Sequence, residues 1–482
     1  MGINGLHPVI KPYLRPIQLS KFHGQRVGCD AFAWLHRGAC GCATELATGH
    51  RWWEERNMPP PYVEFCLRML AMLKSNGVVP VVVFDGGSLP AKAGTQDARR
   101  ARKREVLAKA HALLAEGNKQ AADSLFCQTV DVTADMAHEL VLRLRKESIE
   151  FLVAPYEADS QLAFLTRKEA CAGGIAAVIT EDSDLVAYGC PNVIFKCQKG
   201  GMALELCLAD LFAGRAYDGA DGPAAVDPEG GKAAVPLSFR HFTLDMLQSV
   251  CVLAGCDFQA SVKGIGFKKA HGLIKKHRTL PRVLSVFRCD KKFSAMERSY
   301  PEAAMRALNN FRHALVFDAS AAGGSLTRLT PLPAELKGGD VDLDYLGPVI
   351  STEIACGIAY GRLQPRAPYH RFHAAPQPAP AGQAVLAGGA SWLSSAICKD
   401  PSAMAGLRGK QAAGKAPVQT AGIAAFLQSG LQQQSRAQQA QQHATPAQHD
   451  TPPSSSQPDY GSARVTWPVM TASTGTAAPE PA

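Results

Sequence analysis

Over the first 365 residues, two kinds of hydrophobic segment alternate. Short β-rich runs, "RVGCD" (26–30), "VVPVVVFDG" (78–86), "IEFLVAP" (149–155) and "IAAVITED" (175–182), are apolar almost throughout. Between them, residues 61–76, 97–116, 133–147 and 157–169 carry helical spacing. Strands without polar alternation are buried on both faces, and strands separated by helices pair in parallel. The pattern predicts an α/β fold with a mainly parallel central sheet. Ligands of such sheets sit at the carboxyl ends of the strands.

The pattern stops near residue 366. From "PRAPYHRFHAAPQPAPAGQAV" to "LQSGLQQQSRAQQAQQHATPAQHDTPPSSSQP" the chain is rich in Ala, Gln, Pro and Ser and poor in large apolar residues. Such a composition cannot offset chain entropy by burial, so 366–482 is expected to be a mostly disordered tail. A Gly/Ala/Asp-rich stretch, 213–238, reads as an insertion loop.

Each of the four apolar runs reaches acids at its end. The first ends at Asp30 and the second at Asp85. The third leads to Glu157 and Asp159, the fourth to Asp182 and Asp184, and "CVLAGCDF" later carries Asp257. One acid at a strand end is often a helix N-cap. Four successive strands ending this way, together with Asp257, would gather seven carboxylates on one sheet edge, where like charges raise each other's pKa unless cations intervene. All-oxygen donors favour Mg²⁺ or Mn²⁺ over zinc, and seven carboxylates suit two ions. Paired divalent ions serve in-line attack of water on phosphorus, so the expected reaction class is phosphodiester hydrolysis.

Charge supports an anionic partner only weakly: 51 Lys and Arg against 42 Asp and Glu give a formal +9. Its placement says more. Arg99, Arg100, Arg102, Lys103 and Arg104 crowd one helical stretch shortly after Asp85, with Lys92 before them. They read as a solvated face, an import patch or a phosphate clamp beside the metals. In "GCDFQASVKGIGFKKAHGLIKKH", Gly264 and Gly266 open a helix flanked by Lys263, Lys268, Lys269, Lys275 and Lys276, a turn suited to duplex phosphates. Fourteen cysteines without a C-x-x-C pair, Pro8, Pro12 and Pro16 interrupting the amino-terminal stretch, and no run of 18 apolar residues suggest reduced thiols, no signal peptide and no membrane span.

"MGINGL", "FDG", "EA" followed by an acid, "TEDSD" and "GCD…GIG", in this order over about residues 1–365, resemble the structure-specific 5′ nucleases of the flap endonuclease and XPG superfamily. "LVAPYEADSQLAFL" and "TEDSDLVAYGC" are similar to its exonuclease branch. The resemblance implies a PIN-like 5′-nuclease fold, with a twisted sheet, a helical arch and a helix–two-turn–helix element. Its regions would be an N-terminal nuclease region (1–100), the arch (86–132), an internal nuclease region (133–212), the insertion, the duplex-binding element (239–290) and wrapping helices (291–365). It implies that Asp30, Asp85, Glu157, Asp159, Asp182, Asp184 and Asp257 hold two Mg²⁺. Lys92 and Arg99 would meet the scissile phosphate, while Arg100, Arg102 and Lys103 draw in the strand. Phe32 and His36 would contact terminal nucleotides, Gly2 would pack near bent DNA, and the Gly264–Gly266 turn would hold duplex phosphates, with K⁺ as a further ligand.

The implied activity is 5′→3′ exonucleolysis of duplex DNA at 5′ ends, nicks and flaps. The implied setting is mismatch repair and recombination in the nucleus, as a monomer beside mismatch-repair proteins. A dedicated flap or junction nuclease is the nearest alternative, and a non-catalytic DNA-binding scaffold a more distant one. Two departures stand out. "HRWWEERNM" (50–58) lengthens the loop after the first helix, with Trp52 and Trp53 as a DNA wedge or, preferably, a helix cap. In the tail, "TAGIAAFLQ" places Ile423, Phe426 and Leu427 in the spacing of a sliding-clamp-binding peptide (Thr420–Leu427), although Thr420 replaces the usual Gln.

Overall fold

A computed structural model describes residues 2–217, 237–290, 293, 296–321, 323–338 and 342–372. Most of the insertion and the clamp-like peptide Thr420–Leu427 lie outside the described residues.

The central sheet has seven strands: β1 (Arg15–Gln18), β2 (Arg26–Asp30), β3 (Val79–Phe84), β4 (Glu150–Val153), β5 (Ala177–Ile179), β6 (Asn192–Phe195) and β7 (Met202–Cys207). Their order is β1-β7-β6-β5-β2-β3-β4. The five strands from β6 to β4 run parallel, and β7 joins β6 and β1 antiparallel. The parallel core matches the four apolar runs. The antiparallel edge carries polar residues such as Arg15, Gln18 and Glu205 among its apolar ones, which hid it from the hydrophobic pattern. Among the described residues a separate hairpin pairs β8 (Leu315–Asp318) with β9 (Ser325–Arg328).

Successive side chains of a strand point to opposite faces, so each strand feeds two cores. Val81 and Val83 join one cluster, with Leu162, Val250 and Ile274, while Val82 and Phe84 join the other, with Leu35, Leu70 and Leu140. Helices therefore cover both faces and leave the carboxyl edge of the sheet open. At Gly28 a Cβ would lie 2.5 Å from Ile175 and Leu162, so only glycine lets the helix Ala158–Thr166 settle this closely onto β2.

Four expectations need correction. The basic helix starts at Ala93 and runs to Ala115, and a second helix, Lys119–Thr129, packs back on it to complete a hairpin. Asn118 caps that second helix through Ala121 N–H. The helix after Glu157 ends at Thr166, three residues early. The ordered body extends past 366: Leu363 bridges to Arg371, and Phe372 stacks on His138. Trp53 lies inside the short helix Trp52–Glu55 and is buried, 6.4 Å edge-on from Tyr62, so it packs in the core and serves neither as a wedge nor as a cap. No helix among the described residues is long and apolar enough to cross a membrane. Every described cysteine is a free thiol.

Candidate active site

Asp30 is the last residue of β2, Asp85 follows β3, Glu157 lies four residues beyond β4, and Asp182 three beyond β5. Because these strands are parallel neighbours in register, their ends bring the acids to one place. Asp30, Asp85, Glu157, Asp159, Asp182 and Asp184 line one cavity of about 1170 Å³.

Capping and site membership are not alternatives here. Asp30 Oδ1 accepts from Phe32 N–H at 3.0 Å and Ala33 N–H at 3.3 Å, which starts the helix Ala31–Cys40. Its Oδ2 meanwhile accepts from Thr180 Oγ1 at 3.1 Å. Asp85 Oδ1 accepts from Ala158 N–H at 2.8 Å, so the acid after β3 caps the helix that follows β4. Asp182 Oδ1 takes Asp184 N–H at 3.2 Å. The caps hold the carboxylates in place.

The cluster is electrostatically costly. Burial, with Asp182 nearby, pushes Asp30 up to about 6, against the hydrogen bonds that favour its ionised form. Burial, then Glu157 and Asp30, raises Asp85 to about 7. Burial and neighbouring carboxylates hold Asp159 and Asp184 well above the usual range. Lys92 partly compensates. Buried at 8% exposure, it puts Nζ 2.6 Å from Glu157 Oε2 and 3.7 Å from Asp257 Oδ2. Burial alone would lower its pKa, but Glu157 and the other acids outweigh that and drive it up.

Arg99 adds a second bridge, with Nη2 2.6 Å from Asp257 Oδ1, and Thr95 Oγ1 donates to the Asp257 carbonyl at 2.9 Å. The basic hairpin is thus tied to the acids through Asp257, which itself does not line the cavity. Arg100, Arg102 and Lys103 line it, with Arg100 paired to Asp97 and Lys103 to Asp131. Phe32 and His36 line it from the Ala31–Cys40 helix, where Phe32 also packs against the core.

At Gly2, φ is +100°, and a Cβ would sit 1.9 Å from Asp182 Oδ1 and 2.8 Å from Ser183 Oγ. Ile3 N–H donates to Ser183 Oγ at 3.2 Å, so the amino terminus is laid against the acids. Asn4 N–H then reaches the Gly255 carbonyl at 3.1 Å, joining it to the chain that carries Asp257.

Among the described residues, no group of three or more His, Cys, Asp or Glu is arranged as a finished metal site. The donor set nevertheless fits hard cations: it is all oxygen, it is short of positive charge, and Asp184 Oδ1 is buried without a hydrogen-bond partner.

Residues 1–106 match the model described as XPG N-terminal domain, and residues 148–257 match the XPG I-region. The four strand-end acid positions fall inside them. The chain is similar to Exonuclease 1 of Arabidopsis thaliana, 36% identical over 368 residues, 76% of this chain and 44% of that one. It is also similar to Exonuclease 1 of Xenopus laevis, 34% identical over 75% of this chain and 45% of that one. The chain therefore spans less than half the length of these two relatives. A solved structure titled as the catalytic core of Rad2 in complex with DNA substrate is 19% identical, with coverage of 64% of this chain and 80% of that one and a TM-score of 0.41.

The predicted duplex-binding residues form a separate surface. Gly264 and Gly266 flank buried Ile265 at the start of the helix Phe267–His277. Lys263, Lys268 and Lys269 lie there at the surface, and Lys269 Nζ donates to the Gly264 carbonyl at 2.8 Å. They do not line the acid cavity. Sequence reasoning missed Thr180, Thr95 and Ser183, whose hydroxyls hold the site together. In "ITEDSD" the hydroxyls of Thr180 and Ser183 stand beside the acids and were the available signal.

Proposed function

We propose that this chain is a divalent-metal-dependent nuclease that removes nucleotides 5′→3′ from duplex DNA ends and nicks and cleaves 5′ flaps. One observation carries the reading: six carboxylates from four parallel strand ends line one cavity together with Lys92 and Arg99. The XPG regions and the similarity to proteins named Exonuclease 1 support it. Asp30, Asp85, Glu157, Asp159, Asp182, Asp184 and Asp257 would hold two Mg²⁺, with Mn²⁺ as a substitute. Bound there, divalent ions supply positive charge to the reacting phosphate and lower the pKa of water.

The chain's own residues do the rest. Asp30 and Asp85 are fixed by backbone N–H groups, so their oxygens need no reorganisation. Arg99 is the hairpin's link to Asp257 and is partly exposed, able to turn its remaining donors to a phosphate. Lys92 stays buried as a counter-ion to Glu157 and stabilises charge developing on the leaving phosphate. Arg100, Arg102 and Lys103 draw the strand into the cavity. Lys263, Lys268 and Lys269 hold duplex phosphates at the Gly264–Gly266 turn, with K⁺ as the further ligand there. Mismatch repair and recombination in the nucleus, with contacts to mismatch-repair proteins and a weak sliding-clamp contact, are the setting we propose.

Single-turnover cleavage by the full chain, with Mg²⁺ or EDTA, tests this. A 3′-labelled 5′-recessed duplex should shorten stepwise from the 5′ end, and a 5′-flap should be cut, both only with Mg²⁺. Flap cutting without resection would move the protein to the flap-nuclease branch. DNA binding without any cleavage would make it a scaffold.

A further inference from the structure

Part of the cavity wall is apolar and has no task in that chemistry. The helix Ala134–Lys146 contributes Ala137, His138 and Val141, and the segment 361–372 contributes Leu363, Pro365 and Phe372. This segment folds back on itself: Gln364 N–H donates to the His370 carbonyl and Tyr369 N–H to that of Arg366, each at 2.8 Å. Arg145 anchors its start through the Tyr360 carbonyl.

At its end the Phe372 ring lies flat on His138, with centroids 3.7 Å apart and planes within 3°. Protein aromatic pairs prefer offset or edge-on contact. Close parallel stacking is the arrangement a nucleobase takes on an aromatic side chain. Beneath Phe372, His138 is 8% exposed, and its Nδ1 is buried with no hydrogen-bond partner. A buried ring nitrogen left unpaired is a costly arrangement for a wall built only for packing. Burial, then Arg145, pushes this histidine down to about 4, so a neutral ring faces the cavity. Phe372 is half-exposed. Arg102 and Lys103 line the same cavity and suit the phosphates of a strand whose base would lie here.

We propose that His138 is a stacking platform for an unpaired nucleobase of the 5′ strand, and that Phe372 occupies the platform until the strand displaces it. The proposal rests on the nuclease reading for its ligand. It gives segment 361–372 a definite action, self-occlusion of the cavity by one ring.

The test uses the full chain, in EDTA so that nothing is cleaved, with 5′-recessed duplexes carrying 2-aminopurine at successive positions of the 5′ strand. Stacking quenches this base. One position should be quenched by the parent protein, and Phe372→Ala should deepen the quench and tighten binding by about fivefold, the worth of an aromatic pair. His138→Ala should abolish the quench and weaken binding by about tenfold. His138→Phe, which keeps a ring in place, should retain the quench and guards against a mere folding defect. Unchanged or weaker binding by Phe372→Ala, or a quench that survives His138→Ala, overturns the proposal. Cleavage of the same duplexes in Mg²⁺ separates the two readings. Cleavage without a His138-dependent quench removes only the platform, and a His138-dependent quench without cleavage supports it while removing the nuclease.

Discussion

The Lys92 ammonium lies 2.6 Å from Glu157 Oε2, so the first charge compensation in the acid cluster comes from the chain itself. Breaking a buried pair by removing one partner leaves an uncompensated charge and costs about 3–5 kcal/mol. Lys92→Met should therefore lower the melting temperature at pH 8 and cut single-turnover cleavage by about 10²–10³-fold. The loss of stability should shrink at pH 5, below the raised values of Asp30 and Asp85, where the cluster carries less negative charge for the lysine to offset. A loss of equal size at both pH values would show that the lysine acts by packing alone.

The same cluster sets a pH dependence in EDTA. Asp30 and Asp85 are raised from an ordinary 3.8 to about 6 and about 7 by burial and by neighbouring acids. A group raised on folding contributes stability that is complete below its unfolded pKa and is lost as pH climbs through the folded one. From these two groups, stability should fall between about pH 4 and pH 7, with Asp159 and Asp184 extending the loss upward. Added Mg²⁺ should raise the melting temperature more at pH 8 than at pH 5. Thermal scans at both pH values, with and without Mg²⁺, measure this, and an equal Mg²⁺ effect at both would contradict it.

The parallel strands and their terminal acids were legible because both follow local rules. Four continuous apolar runs can only be buried strands or helix pieces, and an acid after each is visible by eye. Asp257 was legible as an acid, but its coupling to Arg99 and Thr95 was not, because the partners lie some 160 residues apart in the chain. The second hairpin helix escaped because "KQAADSLFCQT" has few large apolar residues, Phe126 chief among those it buries. The stack of Phe372 on His138 joins a helix to a stretch whose composition matches the tail. A window average cannot distinguish residues 366–372 from the Ala- and Pro-rich chain beyond them.

Gly2→Ala tests how tightly the amino terminus is fitted. The new Cβ would meet Asp182 Oδ1 at 1.9 Å, and φ at +100° suits glycine alone. Either Asp182 or the terminus must move. Cleavage should fall by more than about tenfold, a single strained placement beside the reacting atoms being enough for that. Circular dichroism and the melting temperature should change little, since the strain falls at a chain end. Parental cleavage rates by this variant would mean that the terminus has no part in holding Asp182.

The acid cavity and the Gly264–Gly266 surface are separate, so chemistry and grip should come apart in two variants. Asp182→Ala removes a carboxylate but none of the basic groups, and single-turnover cleavage should drop by orders of magnitude with the DNA dissociation constant changed by less than about threefold. Lys268→Ala/Lys269→Ala leaves every acid in place. Its cleavage rate at saturating DNA should match the parent, while binding weakens and the slope of log K against log salt flattens by about one for each phosphate no longer neutralised. Lys269 is the sharper half of this pair, because its Nζ already donates to the Gly264 carbonyl and its removal also frees the turn. Restoring Lys269 alone should recover more affinity than restoring Lys268 alone. Equal recovery would mean that the two lysines act only as charge.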